Sequence, residues 1–122
     1  MSNFAPKRTT YGTTDRRWAR DLLALDTIDV TLDGSKWPAG TTIPSGTHVG
    51  RITASKMCAP YNAGATDDTQ KSLGLLVNDF VVAPGKHLVA VASGGGPVER
   101  RYLPAGNTAA AEANLPAINF VN

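Results

Sequence analysis

Residues 27–32 alternate strictly, with Ile28, Val30 and Leu32 on one side and Asp29 and Thr31 on the other, the period of a half-buried strand. Asp33-Gly34 closes that strand as a turn. Residues 38–54 then carry the pattern Pro-small-Gly-Thr-x-(Ile or Val) twice in tandem. The fixed φ of Pro38 and Pro44 suits the second position of a β-turn, Gly40 and Gly46 relieve the backbone after them, and Gly50 completes the set of structural turn positions. Between these turns the β-branched Thr41, Thr42 and Ile43, then Thr47 and Val49, favour a pleated environment. A helix crossing both prolines would lose about 3 kcal/mol at each. The stretch therefore reads as turn, strand, turn, strand.

Further along, residues 62–71 are polar and read as a loop. Residues 73–82 are apolar except at Asn78-Asp79, which allows either two strands around a turn or one bulged strand. Pro84-Gly85 turns the chain, and Leu88, Val89 and Val91 form a strand that is expected to end at residues 93–97, Ser-Gly-Gly-Gly-Pro. Residues 98–103 read as another short strand. Asn107 is placed to cap an alanine-rich helix running through Ala113 and stopping before Pro116, and Ile118, Phe120 and Val121 read as a final strand. Near the start, Trp18, Leu22 and Leu25 stand at helical spacing behind Asp15, so residues 15–25 admit a short helix. The pattern predicts a mainly β protein: a small, turn-rich β-barrel or β-clip-like domain over residues 27–122, one or two short helices, and an extended N-terminal arm over residues 1–26.

Composition supports that class. The chain of 122 residues is one domain by length, and its 18% charged residues fall below the roughly one-quarter usual for soluble domains, as suits a turn-rich β protein. Cys58 is the sole cysteine, so no intramolecular disulfide exists. No apolar run approaches the roughly 20 residues that span a bilayer, and the N-terminus lacks the order of a signal peptide, so synthesis in the cytoplasm and no membrane partner are expected.

Charge changes the picture at one end. In the first 21 residues Lys7, Arg8, Arg16, Arg17 and Arg20 face only Asp15 and Asp21. With Phe4, Tyr11 and Trp18 as its large apolar groups, this segment has too little to bury by itself, and it reads as an arm that orders on a surface. Arginine and aromatic side chains anchor protein interfaces, which makes Phe4, Lys7, Arg8, Tyr11, Arg16, Arg17, Trp18 and Arg20 the candidate binding residues. The same groups could meet phosphates and bases, but the rest of the chain lacks a basic patch in sequence, so a protein surface is the expected partner and nucleic acid is not.

Candidate chemistry is thin. Gly94-Gly95-Gly96 lacks the Lys-Ser or Lys-Thr of a phosphate loop, and Pro97 blocks a helix there. His48, His87 and Cys58 lack paired ligand spacing, and Asp67-Asp68 with Asn62 and Asp79 match no calcium-loop signature. A Ser45, His48, Asp67 triad can be composed on paper without a nucleophile elbow to support it. No enzyme activity, metal or cofactor is expected.

Residues 40–53, Gly-Thr-Thr-Ile-Pro-Ser-Gly-Thr-His-Val-Gly-Arg-Ile-Thr, then residues 57–61, Asp67-Asp68, Leu73-Gly74-Leu75-Leu76, Gly96-Pro97-Val98-Glu99, Leu103-Pro104 and Ile118-Asn119-Phe120, resemble the lambda-type head decoration proteins of tailed bacteriophages. The similarity covers most of residues 27–121. One departure is Asp67-Asp68-Thr69, where such proteins often carry Asp-Gly-Ser. The resemblance implies a homotrimer bound to the major capsid protein on the outer surface of the virion, at local three-fold positions, reinforcing the shell without catalysis or cofactor. The alternative reading is a small β-clip-like domain binding a carbohydrate or other ligand.

Overall fold

The alternating segment forms β1, Leu25–Asp33, in a computed structural model that describes residues 16–122. Phe4, Lys7, Arg8 and Tyr11 of the expected arm lie outside the described residues. Val30 and Leu32 are buried while Asp29 is exposed, as the period requires, but Ile28, expected on the same side as Val30 and Leu32, is exposed. The strand begins earlier than its alternation because Leu25 is itself buried, on the opposite face.

The tandem motif yields β2, Thr42–Ile43, and β3, His48–Arg51. The turns before them differ from expectation in one respect. The Thr41 N–H donates to the Pro38 carbonyl at 3.1 Å, and the Thr47 N–H to the Pro44 carbonyl at 3.2 Å, so each proline stands first in its turn, not second. Gly40 and Gly46 stand third with φ of +82° and +91°, the left-handed backbone that a type II turn demands there. Gly50 is no turn residue. It lies buried within β3, and a Cβ on it would fall 2.7 Å from Thr69 Cα, so glycine is required by the closeness of the 62–71 loop.

The remaining strands are β4, Cys58–Pro60; β5, Gly74–Leu76; β6, Phe80–Val81; β7, Lys86–Glu99; and β8, Ile118–Val121. The apolar run 73–82 is thus two strands around Asn78-Asp79, and β6 pairs with β2 in a separate two-stranded sheet. In the main sheet the order is β1-β4-β3-β5-β7-β8, with β1 also paired to β7. Five strands therefore form a closed circuit, sealed by the long antiparallel ladder from Leu25↔Gly95 to Asp33↔Lys86 and by one parallel contact, Leu32↔Cys58.

Two apolar clusters follow from this circuit. Val30 and Leu32, Val49, Cys58, Leu76 and Val91 come one strand after another from all five members and fill its interior. Leu75 and Ala92, the sequence neighbours of Leu76 and Val91, point the other way into a second cluster with Trp18, Val98, Leu115 and Ile118. β5, and β7 at Val91-Ala92, are buried on both faces, which is why the sequence there reads as apolar runs instead of alternating.

β7 does not stop at the glycines. It continues to Glu99 because Gly95 lets the two backbones meet: a Cβ there would lie 3.0 Å from Leu25 Cα. Residues 98–103 consequently form no strand of their own; Val98 and Glu99 finish β7, and Arg100–Tyr102 make a 3-10 turn. The helix α1, Ala109–Ala113, is capped by the Thr108 hydroxyl accepting from the Ala111 N–H, one residue later than the expected Asn107. In place of a helix over 15–25 there is a 3-10 turn, Leu22–Ala24, capped by Asp21.

Candidate functional site

Residues 16–20 are part of the domain, which corrects the expected boundary at 26. Ala19 bridges Val98, the Glu99 N–H donates to the Trp18 carbonyl at 2.7 Å, and the Arg20 N–H donates to Pro97 at 3.3 Å. This pairing drives the Trp18 side chain inward, where it is fully buried. Its indole N–H donates to Ser45 Oγ at 3.0 Å, and Ser45 in turn donates to the Val77 carbonyl at 2.6 Å. The Asp79 carboxylate accepts from the Ser45 N–H at 2.7 Å, so the second turn of the tandem motif is the socket for the indole. Trp18 therefore cannot be an exposed capsid contact, as its place in the arm implied; it belongs to the chain's own core.

The arginines beside it stay outside. Arg16 donates to Asn78 Oδ1 through Nε and Nη2, at 3.1 and 2.8 Å. The Arg17 guanidinium lies 4.7 Å from the centre of the Tyr102 ring, and Arg101 lies 4.8 Å from the same ring. Glu99 is shared, 3.6 Å from Arg20 and 3.3 Å from Arg101. Arg100 turns the other way, donating from Nε to both oxygens of Glu112 at 2.9 and 2.8 Å with Phe120 beside it. The expected arm residues Arg17 and Arg20 thus join Glu99, Arg101 and Tyr102, a grouping that sequence reading missed because the two segments lie some eighty positions apart, while Arg16 is held apart by Asn78.

A buried polar line lies on another side. His48 meets Ser72 Oγ through Nδ1 at 2.7 Å and Asn107 Oδ1 through Nε2 at 2.8 Å. Asn107 donates its amide to Glu112 at 2.8 Å, which fixes Oδ1 as the acceptor and the proton of neutral His48 on Nε2. Ser72 then donates to Nδ1, and its backbone N–H donates to Asn114 Oδ1 at 2.9 Å. Burial pushes the imidazole below its ordinary pKa, partly opposed by Asn107 and Glu112. The order Ser72, His48, Asn107 has the partners of a nucleophilic triad, but both Ser72 and His48 are buried, and every group in the line is satisfied by its neighbours. Its evident work is to tie β3, the segment before β5 and α1 together.

The other sequence candidates are dispersed. Ser45 serves Trp18, while Asp67 caps its own turn by accepting from the Thr69 N–H and hydroxyl, so the paper triad with His48 does not assemble. His87 contacts the Ala83 carbonyl, and Cys58 is buried with its thiol pKa raised by burial. Among the described residues no three His, Cys, Asp or Glu side chains converge to hold a metal. The clefts among the described residues include about 280 Å³ beside Arg51, Thr53, Asp68 and Lys71, about 240 Å³ beside Asp79, Phe80 and Leu88, and about 150 Å³ between His48, Tyr61 and Asn107.

Asp68 has φ of +82°, a left-handed backbone that glycine favours. Its carboxylate accepts from the Thr53 hydroxyl. No protein-family model, curated protein or solved structure matches the chain.

Proposed function

We propose that the protein is a structural virion component, a decoration protein that binds as a homotrimer to the major capsid protein on the outer surface of a phage head and stabilises the shell. The observation that carries this reading is Asp68. The head decoration proteins that this chain resembles often carry glycine at that position, and the backbone there takes the conformation glycine favours. A glycine would occupy this backbone without strain. A mainly β domain agrees with the resemblance, and among the described residues β8 stands at the end of the sheet, an edge that association can cover.

The ligand-binding alternative has less support, because the clefts of about 150–280 Å³ fall short of the roughly 300–1,000 Å³ of most small-molecule sites. No catalytic role is proposed. The test is sedimentation of the purified full chain with empty expanded heads of the phage that encodes it, followed by cryo-EM. Density at local three-fold positions is the expected result, and failure to co-sediment at saturating concentration overturns the reading.

A further inference from the structure

We infer that the surface made by Arg17, Arg20, Arg101 and Tyr102 is a docking site for a carboxylate-rich protein surface. This deepens the decoration reading by naming the chemistry of the partner face, and to that extent rests on it.

Four observations carry it. The two segments are held together by backbone pairing, the bridge of Ala19 to Val98 and the bond from Glu99 to Trp18, so the cations of both are brought to one place. Tyr102 holds the Arg17 and Arg101 guanidiniums at 4.7 and 4.8 Å, which pre-orders two long side chains before a partner arrives. Charge is left over: Glu99, with its side chain 13% exposed, is shared by Arg20 and Arg101, whose side chains are 54% and 65% exposed. Both contacts with Glu99 run through Nη2, and a guanidinium carries five N–H donors in a fork that matches a carboxylate.

Arginine and tyrosine are also the side chains most often found to dominate binding energy at interfaces. Nucleic acid fits less well. A single-strand site needs aromatic faces free for bases, and this ring is already stacked by guanidiniums.

The test follows arginine Nε–H resonances of the full chain by NMR while hexaglutamate is added, in wild type, in the double variant Arg20→Glu with Arg101→Glu, and in the remote control Arg51→Glu. Saturable shifts at Arg17, Arg20 and Arg101, at least ten-fold weaker binding in the double variant, and an unchanged control are expected. Arg101→Lys, which keeps charge but loses the fork, should fall between. Equal shifts at Arg51, unchanged affinity in the double variant, or tighter binding of a single-stranded oligonucleotide at the same residues overturns the inference. Far-UV circular dichroism of each variant verifies the fold. A parallel sedimentation with expanded heads separates the two readings. Heads bound equally by wild type and double variant remove this surface and leave decoration standing, whereas hexaglutamate binding without head binding removes decoration and leaves the surface.

Discussion

The indole N–H of Trp18 donates to the Ser45 hydroxyl at 3.0 Å, joining the start of the described chain to the second of the tandem turns. That bond makes residues 16–20 a structural part of the domain, and it sets what truncation should do. Replacing Trp18 by Ala should cost about 3–5 kcal/mol, the range for emptying a buried aromatic site. Ser45→Ala should cost about 1–3 kcal/mol, because the buried indole N–H loses its acceptor. Urea unfolding midpoints check both, and a Trp18→Ala midpoint equal to wild type would contradict the packing described.

Removal of residues 2–15 keeps Trp18 and is the reference truncation. Removal of residues 2–20 takes Trp18 with it and should lower stability at least as far as Trp18→Ala. Equal stability of the two truncations would show that the pairing with Val98 and Glu99 contributes little.

Glycines 40 and 50 should respond to alanine for different reasons. A Cβ at Gly40 meets nothing within 4 Å, so its cost is that of a left-handed backbone, about 1–2 kcal/mol. At Gly50 the Cβ would press on the Thr69 backbone at 2.7 Å, and the loop must shift at an overpacking cost of about 1–3 kcal/mol. Asparagine, which tolerates φ above zero, should rescue position 40 and not position 50 in thermal denaturation.

Acid should weaken the fold through His48. Its pKa in the folded protein lies below the ordinary 6.5, so the unfolded chain takes up a proton first. Stability is fully present above about pH 6.5 and declines as pH falls toward the folded value. The decline should disappear in His48→Gln, whose amide retains a donor for Asn107. Unfolding midpoints at pH 7.5 and pH 5.5 check it.

Cys58 should resist thiol reagents in the native state, because burial both hides it and raises its pKa. Labelling in urea should be complete, and fast native labelling would place the thiol elsewhere than in the interior of the circuit.

Local chemistry was legible in the sequence and distant pairing was not. The alternation of Ile28, Val30 and Leu32 announces a strand by itself, and Gly40 and Gly46 announce their turns. Gly94-Gly95-Gly96 misleads, since the same glycines that permit a turn also permit close strand pairing, and only the position of Leu25 decides between them. Trp18 reads as an arm residue because its socket at Ser45 lies elsewhere in the sequence. His48 finds Ser72 and Asn107 at separations of 24 and 59 residues, and no spacing rule connects them. Nor could residue types alone bring Arg17 and Arg101 onto one tyrosine.

Val91 and its neighbour Ala92 face opposite cores from a single strand. Loosening either core removes half the lateral support of the same backbone, so the ladder linking β7 to β1 and β5 fails from both sides at once. The two clusters therefore share one fate: they melt in a single cooperative step, and the amides of residues 89–92 exchange with solvent only when the whole molecule opens.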